Sequence, residues 1–195
     1  MLEQIAGIVW RRLDRPGRDE CRLLKAPDGW RLEGAARYRS DEADCRLSYV
    51  IDSDAAWRSR SGRVSGSLGA RGVEIRIRRA PSGEWSLDGR VVPGLDACAD
   101  LDLGFTPATN LLPVRRCGLS VGEAVEAPAA WLDIDAGTIA RLPQTYERRT
   151  ELTYWYEAPS VGYAGLLEVT PVGFARRYPG LWEAESADAS ARDPL

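Results

Sequence analysis

In the stretch from Trp30 to Arg39, WRLEGAARYR, apolar or small residues alternate with charged ones almost without a break. Successive side chains on a strand point to opposite faces. Trp30, Leu32, Gly34, Ala36 and Tyr38 therefore share one face, and Arg31, Glu33, Arg37 and Arg39 share the other. A strand buried on one side writes this pattern. The run CRLSYVID repeats it with Cys45, Leu47, Tyr49 and Ile51 inward, and VEIRIRR repeats it with Val73, Ile75 and Ile77 inward. Pro27-Asp28-Gly29, Pro81-Ser82-Gly83 and Asp88-Gly89 fall between these runs, where tight hairpin turns need such residues.

Short strand patterns continue around Trp131 and through ELTYWYE, YAGLLEV and FARRYPGLW. A long antiparallel sheet must curl or hide its edges. The expected fold is all-β: a curled antiparallel sheet forming a roll or half-barrel, with one short helical segment near 107–118. Thr106 or Asn110 is placed to cap that segment, and Gly118 to stop it. One domain is expected over residues 1–183. The small, polar residues 184–195 read as a disordered tail.

Composition narrows the chemistry. The 195 residues include no histidine, so Ser-His-Asp and Cys-His catalysis and mixed Cys/His zinc sites are excluded. Cys21, Cys45, Cys98 and Cys117 show no paired spacing and read as reduced thiols of a cytoplasmic protein. No catalytic residue, metal or cofactor is assigned. No apolar run reaches the roughly 18 residues that a membrane-spanning helix needs. Residues 1–80 carry a net charge of +5 and the remainder −8, but the basic residues are scattered among acids. The concentrated stripe expected of a nucleic-acid binder is missing.

The most unusual stretch is DLDLGFTPATNLLPVRR, residues 100–116. Asp100 and Asp102 lie at i and i+2, on one face of a strand, with Leu101 and Leu103 on the other. Three readings are open. The acids can pair with Arg115 and Arg116 through charge-assisted hydrogen bonds once the chain reverses at Gly104. They can contact a ligand, or they can act as a carboxylate pair on a sugar. Tyr146, Tyr154, Tyr156, Tyr178, Trp131, Trp155 and Trp182 lie on later strands, and Trp155 faces away from Tyr154 and Tyr156.

These same residues carry a resemblance. GEWSLDGR at 83–90, the 100–116 stretch, AAWL at 129–132, LPQTYERR at 142–149, YWYE at 154–157 and YPGLW at 178–182 occur in the order of a bacterial family described as putative glycolipid-binding. Cys117 departs from that family's usual leucine, and the loop before the last turn lacks an acid that relatives often have. The resemblance implies a fold similar to bacterial lipoprotein carriers and mycobacterial lipoglycan carriers. The expected function is binding of a glycolipid or fatty-acyl amphiphile in an apolar cavity of the curled sheet. Asp102, Asn110, Arg115 and Arg116 would orient the head group, and Tyr146, Tyr154, Tyr178 and Trp182 would line the walls. The alternatives are a partner-binding module without a cavity and a carboxylate-dependent enzyme acting on a small or lipid-linked sugar.

Overall fold

Six strands linked by short turns begin the chain: β1 (Glu3–Arg12), β2 (Gly17–Ala26), β3 (Gly29–Ser40), β4 (Ala43–Asp54), β5 (Ser59–Leu68) and β6 (Arg71–Arg79). The computed structural model describes residues 1–40 and 43–187. The inward set read from alternation is buried, including Leu32, Ala36, Leu47, Tyr49, Ile51 and Ile77. Two short strands, β7 (Trp85–Leu87) and β8 (Arg90–Val92), extend this half to one edge. Asp88-Gly89 makes the turn between them, with both residues at positive φ.

The second half of the sheet is built by β10 (Ala124–Glu126), β13 (Thr145–Thr150), β14 (Thr153–Ala158), β15 (Tyr163–Val169), β16 (Ala175–Tyr178) and β17 (Trp182–Ala187). β17 pairs antiparallel with β1, joining both halves into one 14-stranded antiparallel sheet that is not closed into a barrel. β17 continues to Ala187, four residues past the expected boundary at 183, because it pairs with β1 as far as Ile8↔Ala187. The rest of the expected tail, residues 188–195, lies outside the described residues.

Between the halves comes an insert that pattern reading did not anticipate. It contains β9 (Asp100–Leu103), a 3-10 turn (Ala108–Asn110), α1 (Leu111–Cys117), β11 (Ala129–Asp133) and β12 (Thr138–Leu142). β9, β11 and β12 form a separate three-stranded sheet in which β9 runs parallel to β11, the one departure here from an antiparallel plan. Leu101, Leu103, Phe105, Leu111, Leu112 and Leu132 from this insert share one buried core with Ile8, Leu32, Leu47, Ile51 and Ile77 of the large sheet. Each such side chain contributes about 1.5–3 kcal/mol on burial. The fit is close: a Cβ on Gly62 would collide with the Leu101 side chain. The side of the sheet where an acyl-sized hollow was expected is thus occupied, over its first half, by the protein's own residues.

The helical segment lies where expected, and Gly118 ends it in the left-handed conformation at φ 54°. For the segment as a whole the Thr106 cap holds and the Asn110 cap does not. Asn110 makes no side-chain cap and is drawn off to Tyr146. Thr106 instead accepts the Ala108 amide at 3.1 Å and donates to the carboxylate of Asp19, which also accepts from the Tyr49 hydroxyl. This buried group ties the insert to β2 and β4.

Candidate functional site

The three-stranded sheet stands between two cores. Leu101 and Leu103 face the first. The second contains Val114, Leu142, Tyr146, Tyr154, Tyr156, Leu167 and Val169 from α1, β12 and the later strands. Strand alternation therefore turns Asp100 and Asp102 away from the first core and into the seam beside the second.

The two acids meet different fates. Asp100 is 1% exposed, and Arg116 grips it as a fork, Nε to Oδ1 at 3.0 Å and Nη2 to Oδ2 at 2.7 Å. α1 sets this geometry by bringing Arg116 back over β9. Burial still holds the Asp100 pKa above its ordinary value, against the pull of Arg116. The expected pairing of the acids with Arg115 and Arg116 is thus right for Asp100 and wrong for Asp102. Among the described residues Asp102 has no arginine partner, and its one hydrogen bond is a long contact, 3.5 Å, from the Thr109 hydroxyl.

Asp102 keeps part of its surface open to solvent although protein atoms crowd it on every side. Desolvation raises its pKa to about 7, helped by the nearby Asp100 charge. Its neighbours are aromatic. Trp131 is its register partner across β9 and β11, and a Cβ on Gly104 would strike the Trp131 indole nitrogen. That close approach explains why glycine stands there. Tyr146, Tyr156 and Tyr178 all have their phenols held un-ionised, first by burial and further by the charge of Asp102. Asn110 Nδ2 donates to the Tyr146 hydroxyl at 2.8 Å, and Tyr156 donates to Gln144 Oε1 at 2.9 Å. Tyr156, Tyr163 and Tyr178 form a ring cluster with centroids 4.8–5.8 Å apart.

The structure brings Asp102, Asn110, Tyr146 and Tyr178 together, with Arg116 one acid away. Arg115 is half-buried with its guanidinium 5.3 Å from the centre of the Trp57 ring. Tyr154 is buried at the margin, under Arg148 at 5.8 Å. Trp182 is the register partner of both Tyr178 on β16 and Arg12 on β1, and it packs in the first core beneath Arg12, at 5.1 Å. Gln144 and Tyr163 were not singled out from sequence. Tyr163 sits on β15, between the strands that carry Tyr156 and Tyr178.

A family model described as "Putative glycolipid-binding" matches residues 7–184. The chain belongs to this family. The matched span runs from β1 to β17, so Asp102, its aromatic neighbours and both cores lie inside it. A crystal structure of a DUF1089 family protein from Pseudomonas aeruginosa is similar to this glycolipid-binding family member. It is 26% identical, with a TM-score of 0.75, over 85% of this chain and 91% of that one. A search of curated proteins finds no match. In this family member no described helix is long and apolar enough to cross a membrane. The described residues contain no group of three or more Asp, Glu and Cys side chains able to hold a metal ion.

Proposed function

We propose that this protein binds an amphiphile of the glycolipid class and receives its polar head beside Asp102. One observation carries the reading: a part-exposed carboxylate with no cationic partner among the described residues, set among tyrosine and tryptophan. Sugar hydroxyls donate well to a carboxylate, while the apolar face of a sugar ring rests against aromatic rings. Pockets for small ligands combine such apolar walls with few placed polar groups. Asn110 and Tyr146 add an amide and a phenol at hydrogen-bonding distance from each other.

The apolar chain would lie along the half-buried Val125, Tyr163 and Tyr178 that border the second core, since the insert fills the first. This keeps the kinship with half-barrel lipid carriers but moves the chain out of the sheet's first half. The enzymatic alternative needs two available carboxylates, and Asp100 is taken by Arg116. Four free thiols suit a reducing compartment such as the cytoplasm.

The test is titration calorimetry with an alkyl glucoside, an alkyl alcohol of equal chain length and the free sugar, on the native protein and on Asp102→Asn. The reading expects the glucoside to bind best and the variant to weaken it by about tenfold, equivalent to one lost charge-assisted hydrogen bond. The alcohol should respond little to the substitution. Equal affinity of both proteins for the glucoside, or binding of none of the three, overturns it.

A further inference from the structure

A groove of about 1340 Å³ opens where β3, β4, β5 and β6 meet the turn after β2 and the loop after β6, with Asp102 not among its lining residues. Trp30 and Ser53 line it and stand directly opposite each other in the β3–β4 register. They are 6% and 4% exposed. Trp30 Nε1 and Ser53 Oγ have no hydrogen-bond partner among the described residues. Buried polar groups are almost always satisfied, and an indole N–H can only donate. Two neighbouring orphans therefore point to one missing acceptor.

The Trp30 ring is pinned from both sides. It stacks on Trp57 with centroids 4.3 Å apart and planes 10° from parallel, and the Lys25 ammonium stands 3.7 Å from its centre. Trp57 reaches this position at a positive φ of 66°, a strained conformation for a bulky residue. The groove's charge is also unbalanced. Arg31 is matched by Asp52 and Arg60 by Asp28, each at 2.6 Å. Arg58 and Arg78 line the groove without an ion pair among the described residues. Its other acids are Asp54, which accepts the Arg58 backbone amide, and Glu84, and its fifth arginine is Arg79, which donates to the Cys98 carbonyl at 3.1 Å, so five arginines stand against four acids.

We infer that this groove is a second binding site, taking a phosphate-type oxyanion. One of its oxygens accepts from Trp30 Nε1 and Ser53 Oγ, while Arg58 and Arg78 balance its charge. Oxyanions supply several lone pairs at one centre, and guanidinium groups match them in geometry and charge. A free phosphomonoester and a lipid phosphate headgroup share this chemistry.

The experiment follows tryptophan fluorescence and calorimetry with inorganic phosphate, glycerol phosphate, phosphatidic acid vesicles and neutral phosphatidylcholine vesicles. Trp30→Phe keeps an aromatic ring against Trp57 but removes the N–H, and Arg78→Gln removes one charge. Saturable binding of a phosphate probe, weakened about tenfold in Trp30→Phe with an unchanged melting temperature, supports the site. Loss in Arg78→Gln with a shallower salt dependence supports it too. A response to the soluble phosphates assigns a free ligand, and a response to phosphatidic acid vesicles alone assigns a lipid headgroup. No saturable response from any phosphate probe overturns the inference, as does equal affinity in Trp30→Phe. A crystal grown in phosphate that shows only a water bridging Trp30 and Ser53 overturns it as well.

Discussion

Replacing Asp19 with asparagine should make the protein more stable in mild alkali and leave it nearly unchanged in mild acid. Asp19 is 1% exposed and has no cationic partner among the described residues; the Thr106 and Tyr49 hydroxyls donate to it. Burial drives its pKa from 3.8 to about 7, against those two hydrogen bonds. The folded state therefore holds a proton that the unfolded chain has released between about pH 4 and about pH 7. Stability from this group is fully present below pH 4 and is lost as pH rises to 7. The full gap between 3.8 and about 7 corresponds to about 4 kcal/mol, an upper bound because a relaxing site softens it. Asparagine is neutral throughout, accepts through Oδ1 and donates through Nδ2. Asp19→Asn should then gain about 1–3 kcal/mol over the native protein at pH 8 and differ little from it at pH 4. Urea unfolding of both proteins at pH 4, 6 and 8 measures the difference. A gap that stays constant with pH, or a variant less stable at pH 8, refutes the argument.

Two further outcomes follow from the seam. Arg116→Met strands the buried Asp100 carboxylate and should cost about 3–5 kcal/mol by urea unfolding, with Asp100→Asn in the same chain restoring part of the loss. Gly104→Ala forces the Trp131 indole aside, so its emission maximum should shift and alkyl glucoside affinity should fall by about tenfold, while far-UV circular dichroism stays unchanged.

The long strands were legible because each is buried on one face only, so Trp30, Leu32, Ala36 and Tyr38 print their geometry directly as alternation. The insert was not. β9 also alternates, Leu101 and Leu103 against Asp100 and Asp102, and such a strand reads as half-solvated. Its acidic face instead turns toward a second core, and nothing local in the sequence distinguishes protein from water behind a carboxylate. That is why the hollow was expected where Phe105 and Leu112 now pack. The site was half legible for a related reason. Arg116 reaches Asp100 through a short reversal of the chain, a local event. Asp102 is left without an arginine by the placement of α1 against β13 and β14, which is long-range. Trp182 pairs locally with Tyr178, but its place under Arg12, about 170 positions away in the chain, is long-range and left no mark in the sequence.

The pairing of β1 with β17 makes the middle of the wall out of the first and last described strands. During synthesis, β1 must wait for β17 with one flank bare, since its only earlier neighbour is β2. A nascent chain therefore carries an open, pairing-competent edge on β1 until β17 has been made. Removing β17 would leave two half-walls with no strand pairing between them, held by the insert and by contacts such as Trp10 Nε1 to the Ala175 carbonyl, and severing the chain instead at the exposed turn around Gly137 while joining β17 to β1 by a short turn would make that late closure an ordinary hairpin.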